Sequence, residues 1–121
     1  FIRKELAGEV CKIYGDGTQT RDFIYIDDLV NSILLALKFE GQGEIFQIAT
    51  GTERTISEIA EILRKELNVH RISMRIEHTD KRLGDVNRNY ADISKAKTIL
   101  GWEPLIELSA GIKKTVESNL R

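Results

Sequence analysis

The sequence predicts a small, mixed α/β fold with about four short strands and four to five helices. Short apolar runs bounded by glycine and polar residues are typical of strands, and they alternate with longer segments whose apolar residues recur at helical spacing. A hydrophobic content of 41% is enough to build a core and too high for a disordered tail. A length of 121 residues suits one domain, so we expect a single domain over residues 1–121.

The first half of the chain is predicted to hold two helices and three strands, separated by a turn. Helices are predicted over residues 1–6 and from Asp27 or Asp28, one of which caps the helix, to about Phe39. Strands are predicted over Val10–Tyr14, Phe23–Ile26 and Glu44–Ala49. Gly15–Thr20 combines glycines with Asp and Thr, which is turn chemistry.

The second half is predicted to hold three helices and one strand. Thr55–Glu58 is a capping-box sequence that opens an amphipathic helix ending near Asn68. From Ile72 to Glu77 apolar and polar residues alternate, which indicates a half-buried strand. After a polar segment, Asp92 caps a short helix that Gly101 stops, and Leu108–Leu120 carries apolar residues at four-residue steps.

Charge, hydropathy and cysteine content exclude several classes of function. There are 18 Lys and Arg against 19 Asp and Glu, so 18 − 19 gives a formal charge of −1, and no nucleic-acid partner is expected. The mostly apolar stretch Leu29–Phe39 is too short to cross a bilayer, so no membrane partner is expected. Cys11 stands alone, which excludes a disulfide framework and favours a reducing cytoplasm.

Common catalytic layouts are absent from the residues. Gly-x-Gly-x-x-Gly, Gly-x-x-x-x-Gly-Lys and Gly-x-Ser-x-Gly do not occur. His70 and His78 stand eight residues apart with no cysteine pair, so we expect no metal site and interpret both as surface or strand-end residues. Cys11 is interpreted as a small buried apolar residue rather than a nucleophile.

Two predicted loops, Gly15–Asp22 and Lys81–Asp85, place arginine beside glycine and aspartate. Arg21 and Arg82 have planar, permanently charged guanidinium groups suited to phosphate oxygens, and nearby glycines allow a ligand close to the backbone. An aspartate beside them can accept from ribose hydroxyls. The alternative, an Arg21–Asp22 turn and a solvated Arg82–Asp85 ion pair, stays open on spacing alone.

Gly15–Leu29, read as GDGTQTRDFIYIDDL, resembles the Gly-Asp-Gly-x-Gln-x-Arg-Asp-Phe-x-Tyr-Val-x-Asp segment of the NAD-dependent nucleotide-sugar epimerase/dehydratase family. These proteins are extended short-chain dehydrogenases, typified by UDP-glucose 4-epimerase. The similarity continues in order through nearly the whole chain. It is carried further by Phe46–Gly51, Thr55–Glu58, Arg82–Asp85, Ala91–Ala96 and Leu100–Pro104.

The resemblance implies a nucleotide-sugar site. In the family, arginines at the positions of Arg21 and Arg82 hold the diphosphate, and the aspartate at Asp85 contacts the ribose. The strand Cys11–Tyr14 matches the segment whose backbone pairs with uracil or thymine, so Lys12 and Tyr14 are candidate substrate-binding residues. Asn89 stands near the sugar, at a position that varies. Gln47 and Ala49 depart from the family's usual Asn and Gly.

The family's catalytic Tyr-x-x-x-Lys and its Gly-x-x-Gly-x-x-Gly NAD fingerprint are absent. The resemblance therefore implies a C-terminal, substrate-binding portion that lacks the Rossmann core, has no catalytic residue and binds no cofactor alone, with NAD and the chemistry in the other half of the parent enzyme. The missing initiator Met favours a fragment. A stand-alone UDP-sugar-binding or regulatory module and a structural remnant stay open as alternatives.

Other properties of the parent stay open at the level of sequence. Epimerase, dehydratase and decarboxylase chemistry are all compatible with the resemblance, as are UDP- and dTDP-hexoses. The predicted strand Glu44–Ala49 joins the dinucleotide-binding sheet in complete members, so alone it exposes unpaired backbone groups. We therefore expect a tendency to form a homodimer through this exposed strand.

Overall fold

The computed structural model describes all 121 residues, Phe1–Arg121, and confirms a small α/β fold with four strands and five helical segments. The strands are β1 (Cys11–Tyr14), β2 (Thr20–Asp22), β3 (Glu53–Thr55) and β4 (Ile76–Thr79). The helices are α1 (Ile2–Leu6), α2 (Ile26–Ala36), α3 (Ile56–Val69), a π-helical turn (Ala96–Leu100) and α4 (Leu108–Asn119). None of these helices is both long and apolar enough to cross a membrane.

The four strands form two separate two-stranded sheets. β1 pairs with β4 in parallel, with Cys11 opposite Ile76 and Tyr14 opposite Thr79. β2 pairs with β3 in antiparallel fashion, from Thr20 opposite Thr55 to Asp22 opposite Glu53. Each strand therefore keeps one edge without a strand partner.

The larger core lies between the β1–β4 sheet and helices α3 and α4. Its buried residues are Cys11, Ile13, Ala60, Leu63, Leu67, Met74 and Val116. The predicted apolar steps of the last helix are confirmed at Ile112 and Val116, since Val116 is fully buried and Ile112 packs against the cluster, whereas Leu120 is 38% exposed. Burial raises the pKa of the Cys11 thiol to about 11, which keeps it protonated and unreactive near neutral pH.

The predicted capping box is present in full. The Thr55 hydroxyl accepts from the Glu58 amide at 3.0 Å, and the Glu58 carboxylate accepts from the Thr55 amide at 2.8 Å. This exchange satisfies two of the free N–H groups at the start of α3. It also fixes the point where β3 turns into α3.

A smaller core surrounds Trp102, Ala96 and Leu100 and depends on a buried carboxylate. The Asp28 carboxylate is nearly inaccessible and accepts from the amides of Leu105 and Ile106 at 3.1 and 3.0 Å. The Asp28 carbonyl accepts from the Trp102 indole N–H at 2.9 Å. The prediction that Asp27 or Asp28 caps α2 is therefore wrong. The N-cap is Tyr25, and Asp28 binds the chain that follows the π-helical turn instead.

The turn predicted over Gly15–Thr20 is confirmed. The Asp16 carboxylate accepts from the Thr18 amide at 3.0 Å and from the Thr18 hydroxyl at 2.7 Å, and these bonds lower the pKa of Asp16. Gly17 has a φ of +79°, and a Cβ there would lie 2.2 Å from the Ser57 hydroxyl oxygen. Only glycine fits this turn, which directs the chain from β1 to β2.

Two strands are shifted from their predicted positions. The second strand is Thr20–Asp22, not Phe23–Ile26, because its pairing partner is the polar strand β3, which has no apolar signal in the sequence. β4 is Ile76–Thr79, so the alternating segment from Ile72 leads into the strand rather than forming it. The alternation was a true signal of burial, since Met74 is buried, but pairing with β1 sets the strand bounds.

The prediction of a strand over Glu44–Ala49 is wrong for this chain. The segment takes part in no sheet, and none of the backbone–backbone hydrogen bonds involves residues 44–49. Its side chains nevertheless alternate as in a strand: Phe46 and Ile48 pack on the Trp102 core, whereas Ile45 is 80% exposed. A strand needs a partner, and this chain offers none beside the segment.

Most of the large apolar side chains of α2 face outward. Asp28 and Ser32 are buried, and Leu29 and Leu35 are partly buried, while the other large apolar residues are about half exposed or more. We call this surface the α2 apolar face; it consists of Ile26, Val30, Ile33, Leu34 and Leu37. An apolar surface of this extent is uncommon on an isolated domain.

Asp28→Asn is expected to lower the free energy of unfolding by about 1–3 kcal/mol, because a carboxamide cannot accept with both terminal atoms from two backbone amides. Urea unfolding followed by Trp102 fluorescence measures the change. Asp27→Asn is the matched control, since the Asp27 carboxylate is exposed and only pairs with Lys114 at 3.7 Å. Equal stability of the two variants would contradict this role of Asp28.

Candidate functional site

A groove of about 270 Å³ lies at the strand edge of β1 that β4 leaves open, and it collects most of the predicted site residues. We call it the β1 groove. It is lined by Phe1, Lys12, Ile13, Tyr14, Gln19, Arg21, Ile56, Arg82 and Asp85. Five of the six predicted substrate-binding residues thus share one cavity. Three cations against one carboxylate, 3 − 1, give the lining a formal charge of +2, which favours an anion.

Arg21 is held in place by three acceptors. One terminal nitrogen donates to the Thr20 and Val86 carbonyls at 2.6 and 2.7 Å, and the other donates to the Asp85 carboxylate at 2.6 Å. A guanidinium has five N–H donors, so two remain for a ligand. Arg21 therefore presents a fixed positive charge to the groove and also ties the loop containing Asp85 to β2.

The loop from Arg82 to Asp85 is a β-turn shaped by Gly84. The Asp85 amide donates to the Arg82 carbonyl at 3.2 Å, and Gly84 takes a φ of +80° at the third position of the turn. The turn points the side chains of Arg82 and Asp85 into the groove, whereas Leu83 is fully exposed. The glycine of the Arg-Leu-Gly-Asp sequence is thus explained by the turn, which requires a positive φ at Gly84.

The Arg82 guanidinium lies over the ring of Tyr14, with its central carbon 4.1 Å from the ring centroid. A cation over an aromatic face is attractive. Hydrogen bonding by Arg82, and then its positive charge, lower the pKa of the Tyr14 phenol below its usual value. Arg82 therefore stacks on Tyr14 at the groove and forms no salt bridge with an acidic side chain.

The open edge of β1 supplies backbone donors and acceptors to the groove. The Cys11 amide donates to the Arg75 carbonyl and the Gly15 amide to the Thr79 carbonyl, at 2.9 and 2.8 Å. Alternate residues of a parallel strand face the same partner, so Lys12 and Tyr14 direct their N–H and C=O groups away from β4. These groups point toward the groove that both residues line.

Gln19 and Ile56 are groove residues that sequence reasoning missed. The Gln19 side chain donates to the Tyr14 carbonyl at 2.8 Å, and the Gln19 carbonyl accepts from the Ile56 amide at 3.0 Å. Gln19 lies inside the family-like segment, so its position was visible in the sequence. Its partner was not, because the turn at Gly15–Thr20 brings residues five apart into contact.

A second polar cluster joins β2 and β3 to Arg88. Arg88 donates to the Glu53 carboxylate through two nitrogens, and the Thr20 hydroxyl donates to the same carboxylate at 2.7 Å. The Arg88 bonds, followed by the Thr20 bond, lower the pKa of Glu53. Asn89 follows this cluster, is exposed and does not line the groove, so its assignment to the substrate stays a prediction.

The two histidines lie apart from any metal-binding arrangement. His70 is 3.5 Å from the Glu66 carboxylate, and the His78 Nδ1 lies 2.8 Å from the Gly15 carbonyl. No group of three or more His, Cys, Asp or Glu side chains is placed to hold a metal ion.

Comparison with known proteins decides the family. The family model described as GDP-mannose 4,6 dehydratase matches residues 1–115. This chain belongs to that epimerase/dehydratase family. UDP-glucose 4-epimerase of Mycolicibacterium smegmatis is 37% identical over 117 residues, which are 97% of this chain and 36% of that protein. The chain spans about a third of the length of the curated relatives it matches.

Solved structures of this family have the same fold over this region. UDP-glucose 4-epimerase from Thermotoga maritima, determined with UDP-glucose, superposes with a TM-score of 0.85 at 36% identity, covering 99% of this chain and 38% of that one. MoeE5 in complex with UDP-glucuronic acid and NAD superposes with a TM-score of 0.89 at 30% identity, covering 99% and 40%. The predicted family and the fold of its C-terminal part are thus confirmed.

Arg82→Ala is expected to raise the pKa of Tyr14, because the substitution removes both the hydrogen bond and the positive charge that stabilise the phenolate. Absorbance at 295 nm against pH follows all three tyrosines, and Tyr14→Phe identifies the component that titrates at the lowest pH. A wild-type titration in which Tyr14→Phe removes no such component would show that Arg82 does not act on this ring.

Proposed function

We propose that this chain is the nucleotide-sugar-binding portion of an NAD-dependent sugar epimerase or dehydratase. The observation that carries the proposal is the convergence of Arg21, Arg82, Asp85 and the open edge of β1 on one groove. The relatives solved with UDP-glucose and with UDP-glucuronic acid support it, since 99% of this chain superposes on part of each of them. The ligand proposed is a UDP- or dTDP-hexose.

The two arginines have different parts in holding a diphosphate. Arg21 is pre-oriented by its three acceptors, so little side-chain entropy is lost when its remaining N–H groups bind phosphate oxygens. Arg82 sits on an exposed turn and rests on Tyr14 without an acidic partner, so it is free to move onto the ligand. Lys12 adds a further positive charge to the lining of the groove.

The rest of the nucleotide has complementary partners in the same groove. The Asp85 carboxylate is only partly used by Arg21 and has further lone pairs that can accept from ribose hydroxyls. Lys12 and Tyr14 offer backbone groups to the base. Remote binding of this kind aligns the sugar for a reaction without taking part in it.

The residues of this chain do not fit the binding of NAD. A dinucleotide cradle needs a glycine-rich turn between a strand and a helix N-terminus. Here Gly15 and Gly17 lie in the turn that joins β1 to β2, and the Gly17 space is filled by the Ser57 hydroxyl. No step of the reaction is assigned to this chain. In the proposed enzyme the redox chemistry belongs to the NAD-binding half, and the free buried thiol of Cys11 suits the reducing cytoplasm.

Two surfaces support the proposal that a further part of the enzyme packs on this chain. The segment 44–49 alternates like a strand, yet its backbone groups have no backbone partner. The α2 apolar face lies exposed on the same chain. The NAD-binding half would add the missing strand partner to the first surface and bury the second.

The 121-residue chain is expected to bind UDP, and Arg82→Ala is expected to weaken binding about tenfold or more, because charge-assisted hydrogen bonds to phosphate are lost. Isothermal titration calorimetry measures the affinity. Arg21→Lys tests the second arginine. Lysine keeps the charge, but its three N–H donors sit on one nitrogen, so they cannot span acceptors held by two guanidinium nitrogens and also bind phosphate. The same loss of affinity is expected for Arg21→Lys.

Arg64→Ala is the matched control, because Arg64 pairs only with Glu61 on the surface of α3 and does not line the groove. Its affinity for UDP should equal that of the wild-type chain. Unchanged affinity in both Arg82→Ala and Arg21→Lys would rule out the diphosphate site.

The isolated chain is expected to self-associate at high concentration, because the segment 44–49 exposes unpaired backbone groups and the α2 apolar face is uncovered. Sedimentation velocity measures this. Ile45→Lys and Ile33→Glu should each shift the distribution toward monomer, and Leu83→Lys, an exposed loop position, should not. A monodisperse wild-type monomer at high concentration would refute the expectation.

A further inference from the structure

We propose that the Tyr14 side chain competes with the diphosphate for Arg82, so that a ligand draws the Arg82 guanidinium off the ring when it binds. The proposal rests on the proposed nucleotide-sugar function and names a residue that sets the affinity of that site. Tyr14 is a positioning residue in this scheme, because its ring acts on the diphosphate through Arg82.

The resting position of Arg82 is over the Tyr14 ring. The central carbon of the guanidinium lies 4.1 Å from the ring centroid, and both residues line the β1 groove. A guanidinium at this distance is attracted to the electron-rich face of the ring. Tyr14 is half-buried in β1, whereas Arg82 is exposed on its turn. The ring is therefore the fixed partner of the pair and the arginine the movable one.

The charges of the groove leave Arg82 without a free carboxylate. Asp85 is the only acidic residue among those that line the groove, and Arg21 already pairs with it at 2.6 Å. Arg21 and Lys12 carry the same charge as Arg82 and repel it. The Tyr14 ring is thus the attractive group that the free groove offers to Arg82.

A diphosphate changes this balance. Its oxygens accept charge-assisted hydrogen bonds, which are stronger than an exposed contact between a cation and a ring. Arg82 stands at the first position of its turn, so its side chain moves by rotamer changes that leave the turn in place. The apparent affinity is then the intrinsic affinity multiplied by the fraction of molecules in which Arg82 is off the ring. A contact of this kind lowers the affinity about two- to fivefold.

Calorimetric titration of the 121-residue chain with pyrophosphate tests the proposal, because pyrophosphate has the charge of the diphosphate and carries no base or sugar. Tyr14→Leu removes the ring and keeps the backbone of β1, so this variant should bind pyrophosphate about two- to fivefold more tightly than the wild-type chain. In an Arg82→Ala background the same substitution should leave the affinity unchanged, because the ring then holds no guanidinium.

Tyr90→Leu is the matched control. The central carbon of Arg88 lies over the Tyr90 ring at 5.5 Å, so this is a second pair of arginine and tyrosine, and neither residue lines the β1 groove. The affinity of Tyr90→Leu for pyrophosphate should equal that of the wild-type chain.

A second measurement needs no variant. An aromatic ring shifts the NMR resonances of protons over its face upfield, so the δ-methylene protons of Arg82 should lie upfield in the free wild-type chain. They should return to ordinary arginine positions when pyrophosphate saturates the groove.

Three results would each overturn the role of Tyr14. They are an affinity of Tyr14→Leu for pyrophosphate that is unchanged or lower, an equal gain from Tyr14→Leu in the Arg82→Ala background, and Arg82 protons that stay upfield in the bound state. Absence of binding of both UDP and pyrophosphate to the wild-type chain would instead overturn the proposed function.

Discussion

The groove depends on the hydrogen bonds of one guanidinium. Arg21 on β2 reaches the Asp85 carboxylate and the Val86 carbonyl, which lie more than sixty residues further along the chain. Neighbouring bonds reinforce the contact, because the Thr20 amide donates to the Asn87 carbonyl and Glu53 holds Arg88. Without this network the loop that carries Arg82 and Asp85 has no tie to β2. The residue proposed to bind phosphate therefore also builds the site in which phosphate would bind.

A consequence is that charge at the site is organised before any ligand arrives. The Arg21 side chain is only 28% exposed and is already paired with Asp85, whereas Arg82 is exposed and rests on an aromatic ring. A fixed cation gives orientation at low entropic cost, and a mobile one closes on the ligand. The groove thus combines a rigid arginine, Arg21, with an adaptable one, Arg82. The sequence does not reveal this difference, because both positions are simply arginine.

Much of the fold was predictable because its signals are local. The capping box at Thr55, the turn at Gly15 and the four-residue steps of the last helix each depend on residues close in sequence. The predictions were wrong where the structure of a segment depends on residues that are distant in the sequence. β3 is polar and exists only because β2 pairs with it, and the segment 44–49 has the alternation of a strand without a neighbour. Asp28 has the sequence signature of a cap but satisfies two amides nearly eighty residues away.

In the candidate site, too, some residues could be predicted from the sequence and others could not. Family resemblance led to Arg21, Arg82 and Asp85, whereas residue chemistry alone favoured solvated surface pairs at these positions. Gln19 was missed because its role lies in a bond to a backbone atom, which no residue pattern displays. Asn89, chosen by resemblance, is exposed and lies outside the groove of this chain, so its assignment stays a prediction.

A two-dimensional amide NMR titration of the chain with UDP tests the central claim most directly, because it reports folding and binding together. Dispersed resonances with shifts concentrated at Tyr14, Gln19, Arg21 and Arg82 would show that these residues form a nucleotide site. Well-dispersed resonances that do not move at millimolar UDP, or that move only outside the β1 groove, would contradict it.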